Sequence, residues 1–349
     1  MGNDGKGMAA LNIEQDLMPG NSFWQDRRVF VTGCTGFLGS WLTAALVSVG
    51  ADVVGLVRDH VPQAQLFRSG TVKQVTTVNG QLADYGLLER ILAEYEIDTV
   101  FHLAAQTIVG IANRSPLSTF ETNIRGTWLL LEAARRNPTV SRVIVASSEK
   151  AYGEPQYLPF REEHPLHGRH PYDVSKSAVD LIAQTYAATY QLPVAISRFS
   201  NLYGGGDLNW NRLLPGTIRS VLRGQRPVIR SDGSFRRDYV YVEDAVRAYL
   251  TLAEKAGDHG VCGAALNFGS GCPATALEVV ETIIRVSDNP TLLPIILDEV
   301  ENEIRDEYLS ADRAREILGW TPQETLESGL AKTMGWYDTF FESRSASEG

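Results

Sequence analysis

The chain has 349 residues, a formal net charge of −10 and a pI near 5.2, so it can bury a large core, and its excess of carboxylates argues against a nucleic-acid or anionic-membrane partner. An anionic ligand has to meet a local cluster of arginines instead. No apolar run reaches membrane-spanning length, residues 1–22 lack the basic-then-apolar order of an export signal, and Cys34, Cys262 and Cys272 have neither disulfide nor zinc spacing; a cytoplasmic protein with reduced thiols is expected.

In chain order, Arg28-Val29-Phe30-Val31-Thr32 reads as a buried strand, Gly33-Cys34-Thr35-Gly36-Phe37-Leu38-Gly39 as a glycine-rich turn, and residues 40–49 as a helix. Strand, turn and helix in this order form a dinucleotide site: the glycines permit a tight turn and close backbone approach, and the helix N-terminus offers unpaired N–H groups to a pyrophosphate. Candidate cofactor contacts are therefore Gly33, Thr35, Gly36, Phe37, Leu38 and Gly39. A second strand, residues 52–57, ends beside the expected ribose position. Arg58 there favours the 2′-phosphate of NADP, whereas Asp59 can serve the ribose of NAD, so the sequence leaves NAD with NADP as the alternative.

Further strands follow at residues 99–103, 142–147 and 194–198, separated by helices at 120–136 and 172–190. Alternation of this kind predicts an α/β fold, a doubly wound parallel sheet of the Rossmann type. Ligands of such sheets bind at the C-terminal strand ends, which collects Gly33, Ala104, Ala105, Ser148, Glu149, Lys150 and Asn201 along one crevice. After Asn201 the chain becomes loop-rich, through Gly204-Gly205-Gly206-Asp207, Pro215, Pro227 and Asp232-Gly233, as suits a smaller α+β substrate-binding lobe. We expect a flexible extension over 1–22, a dinucleotide-binding domain over 23–200, an interleaved substrate lobe over 201–340 and a frayed tail over 341–349.

The chemistry concentrates in two segments, Ser147-Ser148-Glu149-Lys150-Ala151-Tyr152-Gly153 and Tyr172-Asp173-Val174-Ser175-Lys176. Residues at i and i+4 share a helix face, and an ammonium beside a phenol lowers its pKa, so Tyr172 and Lys176 with Ser148 suit proton removal from a hydroxyl being oxidised. Glu149 and Lys150 add an acid and a base that simple hydride transfer does not need. Their mutual attraction opposes both roles, and a purely structural Glu149–Lys150 ion pair is the alternative reading. The run His164, His167, His170 is interleaved with Pro165, Gly168 and Pro171 and has no partner set, so no metal is expected; His102 reads as a packed, hydrogen-bonded histidine.

These blocks, together with Phe101-His102-Leu103-Ala104-Ala105-Gln106, Thr122-Asn123, Arg237-Asp238-Tyr239-Val240-Tyr241-Val242-Glu243-Asp244 and Leu318-Gly319-Trp320-Thr321-Pro322, resemble the extended short-chain dehydrogenase/reductases. Within them the chain is most similar to the nucleotide-sugar 4,6-dehydratases of the CDP-glucose branch, over residues 23–336. The resemblance implies that Ser148 and Tyr172 bracket the sugar C4 hydroxyl, that Lys176 holds the nicotinamide ribose, and that Glu149 and Lys150 occupy the acid and base positions. The branch usually carries Asp-Lys-Cys where this chain has Glu149-Lys150-Ala151, and Gln81 stands where an aspartate near adenine is common. The resemblance also implies substrate contacts at Gln106, Asn201, Arg237 and Arg305, guanidinium forks being suited to a diphosphate.

The expected partner is thus a nucleoside-diphosphate sugar, with neither nucleic acid nor membrane. A 4-epimerase or decarboxylase of the same fold needs only Ser148, Tyr172 and Lys176, and a non-catalytic dinucleotide sensor needs none of them. Helices 120–136 and 172–190 carry more apolar surface than one sheet contact covers, including Trp128-Leu129-Leu130-Leu131, Val179, Leu181 and Ile182. In the resembled family these helices pack across a two-fold axis, so a homodimer is expected.

Overall fold

The structure, a computed structural model, describes residues 22–299 and 304–348, so most of the expected N-terminal extension lies outside the described residues. Six strands come first: β1 (Arg28–Thr32), β2 (Asp52–Val57), β3 (Thr76–Asn79), β4 (Thr99–His102), β5 (Arg142–Ala146) and β6 (Val194–Phe199). Eight more follow: β7 (Asn201–Tyr203), β8 (Val228–Ile229), β9 (Arg236–Arg237), β10 (Tyr239–Tyr241), β11 (Ala265–Phe268), β12 (Ala274–Thr275), β13 (Ile295–Ile296) and β14 (Asp306–Glu307). The longer helices are α1 (Phe37–Ser48), α2 (Tyr85–Glu94), α3 (Gly126–Arg136), α4 (Pro171–Tyr190), α5 (Leu213–Leu222), α6 (Val242–Glu254), α7 (Ala276–Arg285) and α8 (Leu326–Glu348).

Seven strands form one parallel sheet in the order β11-β6-β5-β4-β1-β2-β3. After β3 the chain crosses to the other side of β1, and a crevice opens where the order reverses. Helices cover both faces, so strands read as continuous apolar runs rather than alternating ones. Alternate residues of β1 serve opposite layers. Val29 and Val31 join the cluster containing Trp41, Leu46, Tyr249 and Phe268, while Phe30 joins Leu88, Ile91, Leu130, Leu131 and Val179.

The expected doubly wound sheet is present, with differences at its margins. Strands β3 and β11 escape a sequence reading because each has only four residues, in Thr-Thr-Val-Asn and Ala-Leu-Asn-Phe, without a long β-branched run. The expected helix over 120–136 is divided: a helix Pro116–Phe120 leads into wider π-type turns at Glu121–Arg125 before α3 begins. Where a frayed tail was expected over 341–349, the backbone stays helical to Glu348. Trp210 stacks on Phe341, Trp336 stacks on Phe340, and the Arg68 guanidinium lies 4.5 Å from the Phe340 ring centroid, giving that helix a packed face.

Beyond the central sheet, β7 pairs with β10, β8 with β13, and β9 lies between β12 and β14. The last arrangement matters for the site, because parallel pairing sets Glu307 opposite Arg237. Among the described residues no helix is long and apolar enough to cross a membrane.

Candidate active site

The turn after β1 is shaped by contacts only glycine tolerates. Gly33 has φ +77°, and a Cβ there would lie 2.8 Å from the Ala104 backbone nitrogen at the end of β4; a Cβ on Gly39 would lie 2.0 Å from the Gly33 carbonyl oxygen. Gly36 caps α1 without any side-chain hydrogen bond, leaving the first N–H groups of a twelve-residue helix open. Thr35, Phe37 and Leu38 are half-buried around this opening, as are Ala104 and Ala105 on its far side. The Ala104 N–H donates to Thr32 Oγ1 at 3.2 Å, and His102 bridges Thr32 and Thr127 at 2.8 Å on each side. Burial pushes the His102 pKa down to about 3, so this imidazole is neutral packing.

Arg58 stands one residue beyond β2, where the sequence places it, but its guanidinium is paired with Asp59 at 2.6 Å. Both side chains are exposed, and such a pair is worth ~0–1 kcal/mol, little enough for a ligand to displace. Gln81 is exposed just past β3.

Ser148 follows β5 and opens a single turn, Glu149–Tyr152, in which its Oγ accepts from the Lys150 N–H at 3.2 Å. Tyr172 and Lys176 lie on the first turns of α4, both buried. Burial raises the Tyr172 phenol pKa, and a hydrogen bond with Ser148 works against that rise. The expected depression of the phenol by Lys176 is not what the geometry provides. The ammonium lies 5.9 Å from the ring centroid and donates to the Ala146 carbonyl at 2.6 Å, while burial pushes its own pKa down to about 8.

A structural Glu149–Lys150 ion pair is also absent: Lys150 Nζ pairs with Glu307 Oε2. Glu149 is buried, and Asn201 Nδ2 donates to its Oε1 at 3.0 Å, while Oε2 has no hydrogen-bond partner. Its carboxyl pKa stands well above the ordinary range, first because burial penalises the charge and second because the Glu307 carboxylate repels it; Lys150 and Arg237 oppose these effects and Asp238 adds to them. Asn201 thus engages Oε1, and burial and the neighbouring carboxylate favour the protonated form of the acid, whose Oε2 is buried without a hydrogen-bond partner.

Of the residues expected at a diphosphate, Asn201 is instead held against Glu149, and the Arg237 guanidinium is engaged inside the protein. Arg237 Nη2 donates to the Ile304 carbonyl at 2.6 Å, Nη1 to the Arg305 carbonyl at 2.8 Å, and Nε lies 3.4 Å from Glu307 Oε2. The Arg305 side chain is exposed, one residue before β14. Gln106 is half-buried. Its N–H donates to Asn123 Oδ1 at 2.7 Å, and Asn123 Nδ2 reaches Ser175 Oγ at 2.9 Å, tying the loop after β4 to α4.

Sequence reasoning missed Glu307, Asp238 and the bracing role of Asn123. Asp238 is buried, with burial raising its pKa, and accepts from the Ser270 N–H at 3.0 Å. Glu307 gives no local signal, since it sits on a two-residue strand 157 positions from Lys150. Cys34 is buried and Cys262 and Cys272 are exposed, all three as free thiols. Among the described residues no group of three or more His, Cys, Asp or Glu side chains could hold a metal ion.

Residues 30–333 match the protein family described as GDP-mannose 4,6 dehydratase. The chain is 30% identical over 333 residues to the CDP-glucose 4,6-dehydratase of Salmonella typhimurium, covering 90% of this chain and 92% of that protein. Among solved structures, the UDP-glucose 4-epimerase of Thermotoga maritima, with UDP-glucose, superposes with a TM-score of 0.82 at 29% identity, covering 90% of this chain and 99% of that one. The dTDP-glucose 4,6-dehydratase of Streptomyces venezuelae, solved with NAD, gives a TM-score of 0.78 at 29% identity, covering 89% of this chain and 97% of that one.

Proposed function

The chain belongs to the GDP-mannose 4,6 dehydratase family, and from that membership we propose that it is an NAD-dependent nucleotide-sugar 4,6-dehydratase, a hydro-lyase, with a CDP-glucose-like substrate favoured. The observation that carries the reading is Glu149: a buried carboxyl whose surroundings favour its protonated form, with Oε2 unpartnered, suits a departing hydroxyl and has no use in a 4-epimerase.

The turn at Gly33, the open N-terminus of α1 and the clearance beside Ala104 suit a dinucleotide pyrophosphate, and the NAD held by the Streptomyces venezuelae relative supports NAD over NADP. When bound, NAD would supply a hydride acceptor for the sugar C4 and a hydride donor for C6. Tyr172, hydrogen-bonded to Ser148, takes the C4 hydroxyl proton, and Lys176 orients the nicotinamide ribose. With C4 a ketone, the C5 proton becomes acidic; Lys150 removes it, and Glu149 gives its proton to the C6 hydroxyl, which leaves as water. We read residues 23–200 as the cofactor part and 201–340 as the substrate lobe, with Gln106, Asn201, Arg237 and Arg305 near the substrate.

Glu149→Gln keeps size and hydrogen bonding but cannot give up a proton. It should still form the 4-keto sugar and exchange its C5 hydrogen with deuterated water, while water loss falls by ~10²- to 10⁴-fold. Unchanged water loss in the folded variant removes the acid role. The second reading, a nucleotide-sugar 4-epimerase, is favoured by the TM-score of 0.82 to the Thermotoga maritima enzyme; it needs Ser148, Tyr172 and Lys176 alone and leaves Glu149 and Lys150 without work.

A further inference from the structure

An acid and a base that are neighbours in sequence should neutralise each other. Lys150 Nζ has two carboxyl groups in its vicinity, Glu149 beside it in the chain and Glu307 from β14, and its ion pair is with Glu307. Glu307 is fully buried and held in place twice: by the parallel register of β14 on β9, and by Arg237, whose Nε lies 3.4 Å from the same Oε2 that receives Lys150. Its other oxygen, Oε1, is buried without a hydrogen-bond partner, so the carboxylate is not a saturated structural bridge.

We propose that Glu307 is a positioning residue that draws Lys150 away from Glu149 and fixes it beside Arg237. The charged or titratable groups acting on Glu149 include Glu307, Lys150, Asp238, Arg237 and Tyr172, and Asn201 contacts its Oε1. Removing the Glu307 carboxylate withdraws a repulsion that favours the protonated form and frees an ammonium that favours the ionised form. Both changes act in one direction, toward loss of the Glu149 proton. Held against Glu307, Lys150 also stays in place as the group assigned to the C5 proton. This last consequence rests on the dehydratase reading; the positioning itself does not.

The test is infrared spectroscopy of the full-length protein at neutral pH, with the protonated-carboxyl stretch of Glu149 identified by its loss in Glu149→Gln. The band should be present in the wild type and in Lys150→Gln, because removing the ammonium withdraws an effect that favours the ionised form of Glu149. In Glu307→Gln it should disappear, and water loss from a nucleotide sugar should fall by ~10²-fold or more. Survival of the band in Glu307→Gln overturns the inference. If Glu307→Gln does not fold, the other comparison decides: a band missing from the wild type that appears in Lys150→Gln means that Lys150 pairs with Glu149 after all. A wild type that shows the expected bands but removes no water from any nucleotide sugar sinks the dehydratase reading and leaves the positioning intact.

Discussion

Tyr172 is a phenol whose pKa is raised by burial, hydrogen-bonded to Ser148 and one helical turn from an ammonium lowered to about 8. Its power as a base therefore depends on the electrostatics of a filled site rather than on Lys176 alone. Tyr172→Phe keeps the ring packing and removes the proton acceptor, so turnover should drop by roughly 10²- to 10⁴-fold with the fold intact by circular dichroism. Turnover near that of the wild type would show that another group takes the C4 hydroxyl proton. Ser148, Tyr172 and Lys176 were legible in the sequence because they follow a local rule, a strand end and an i,i+4 pair. Glu307 was not, since its role arises only when β14 is laid beside β9, and neither two-residue strand has a pattern of its own. For the same reason the alternative of a structural Glu149–Lys150 pair gives way to another partner: adjacent residues on a turn need not face each other, and the ammonium pairs with the buried Glu307.

At the level of elements, α4 carries Tyr172, and a buried ion pair fastens it to β6. Arg198 on β6 donates from Nε and Nη2 to the two oxygens of Asp180 on α4 at 2.8 and 2.9 Å, and its Nη1 donates to the Tyr152 hydroxyl at 2.7 Å. Asp180→Ala strands a buried guanidinium, which should cost roughly 3–5 kcal/mol, measurable as a lower urea midpoint. A shift under about 1 kcal/mol would mean that solvent or another carboxylate reaches Arg198. The long buried strands were readable because helices on both faces demand continuous apolar runs, and β1 and β2 occupy the same residues in sequence and structure. Strands β3 and β11 were too short for that signal. The π-type turns at Glu121–Arg125 were hidden because helix propensity does not distinguish the two windings; the Asn123 contacts to Gln106 and Ser175 come from that segment.

For the molecule as a whole, α3 and α4 leave large apolar side chains uncovered: Trp128 is 42% exposed and Leu181 55%. Their helices also touch each other, through the Tyr186 hydroxyl and Glu132. We propose that this face is buried between two copies of the chain. Light scattering at micromolar concentration should give the mass of a dimer, and Trp128→Glu with Leu181→Glu should give a monomer; a monomeric wild type contradicts the proposal. The central claim remains that this site removes water. The most direct measurement is mass spectrometry of the products formed from CDP-, dTDP-, UDP- and GDP-hexoses in the presence of NAD. A dehydratase gives a product lighter than its substrate by the mass of one water, with one hydrogen taken up from solvent at C5. A product of unchanged mass, epimeric at C4, would contradict it and assign the site to an epimerase.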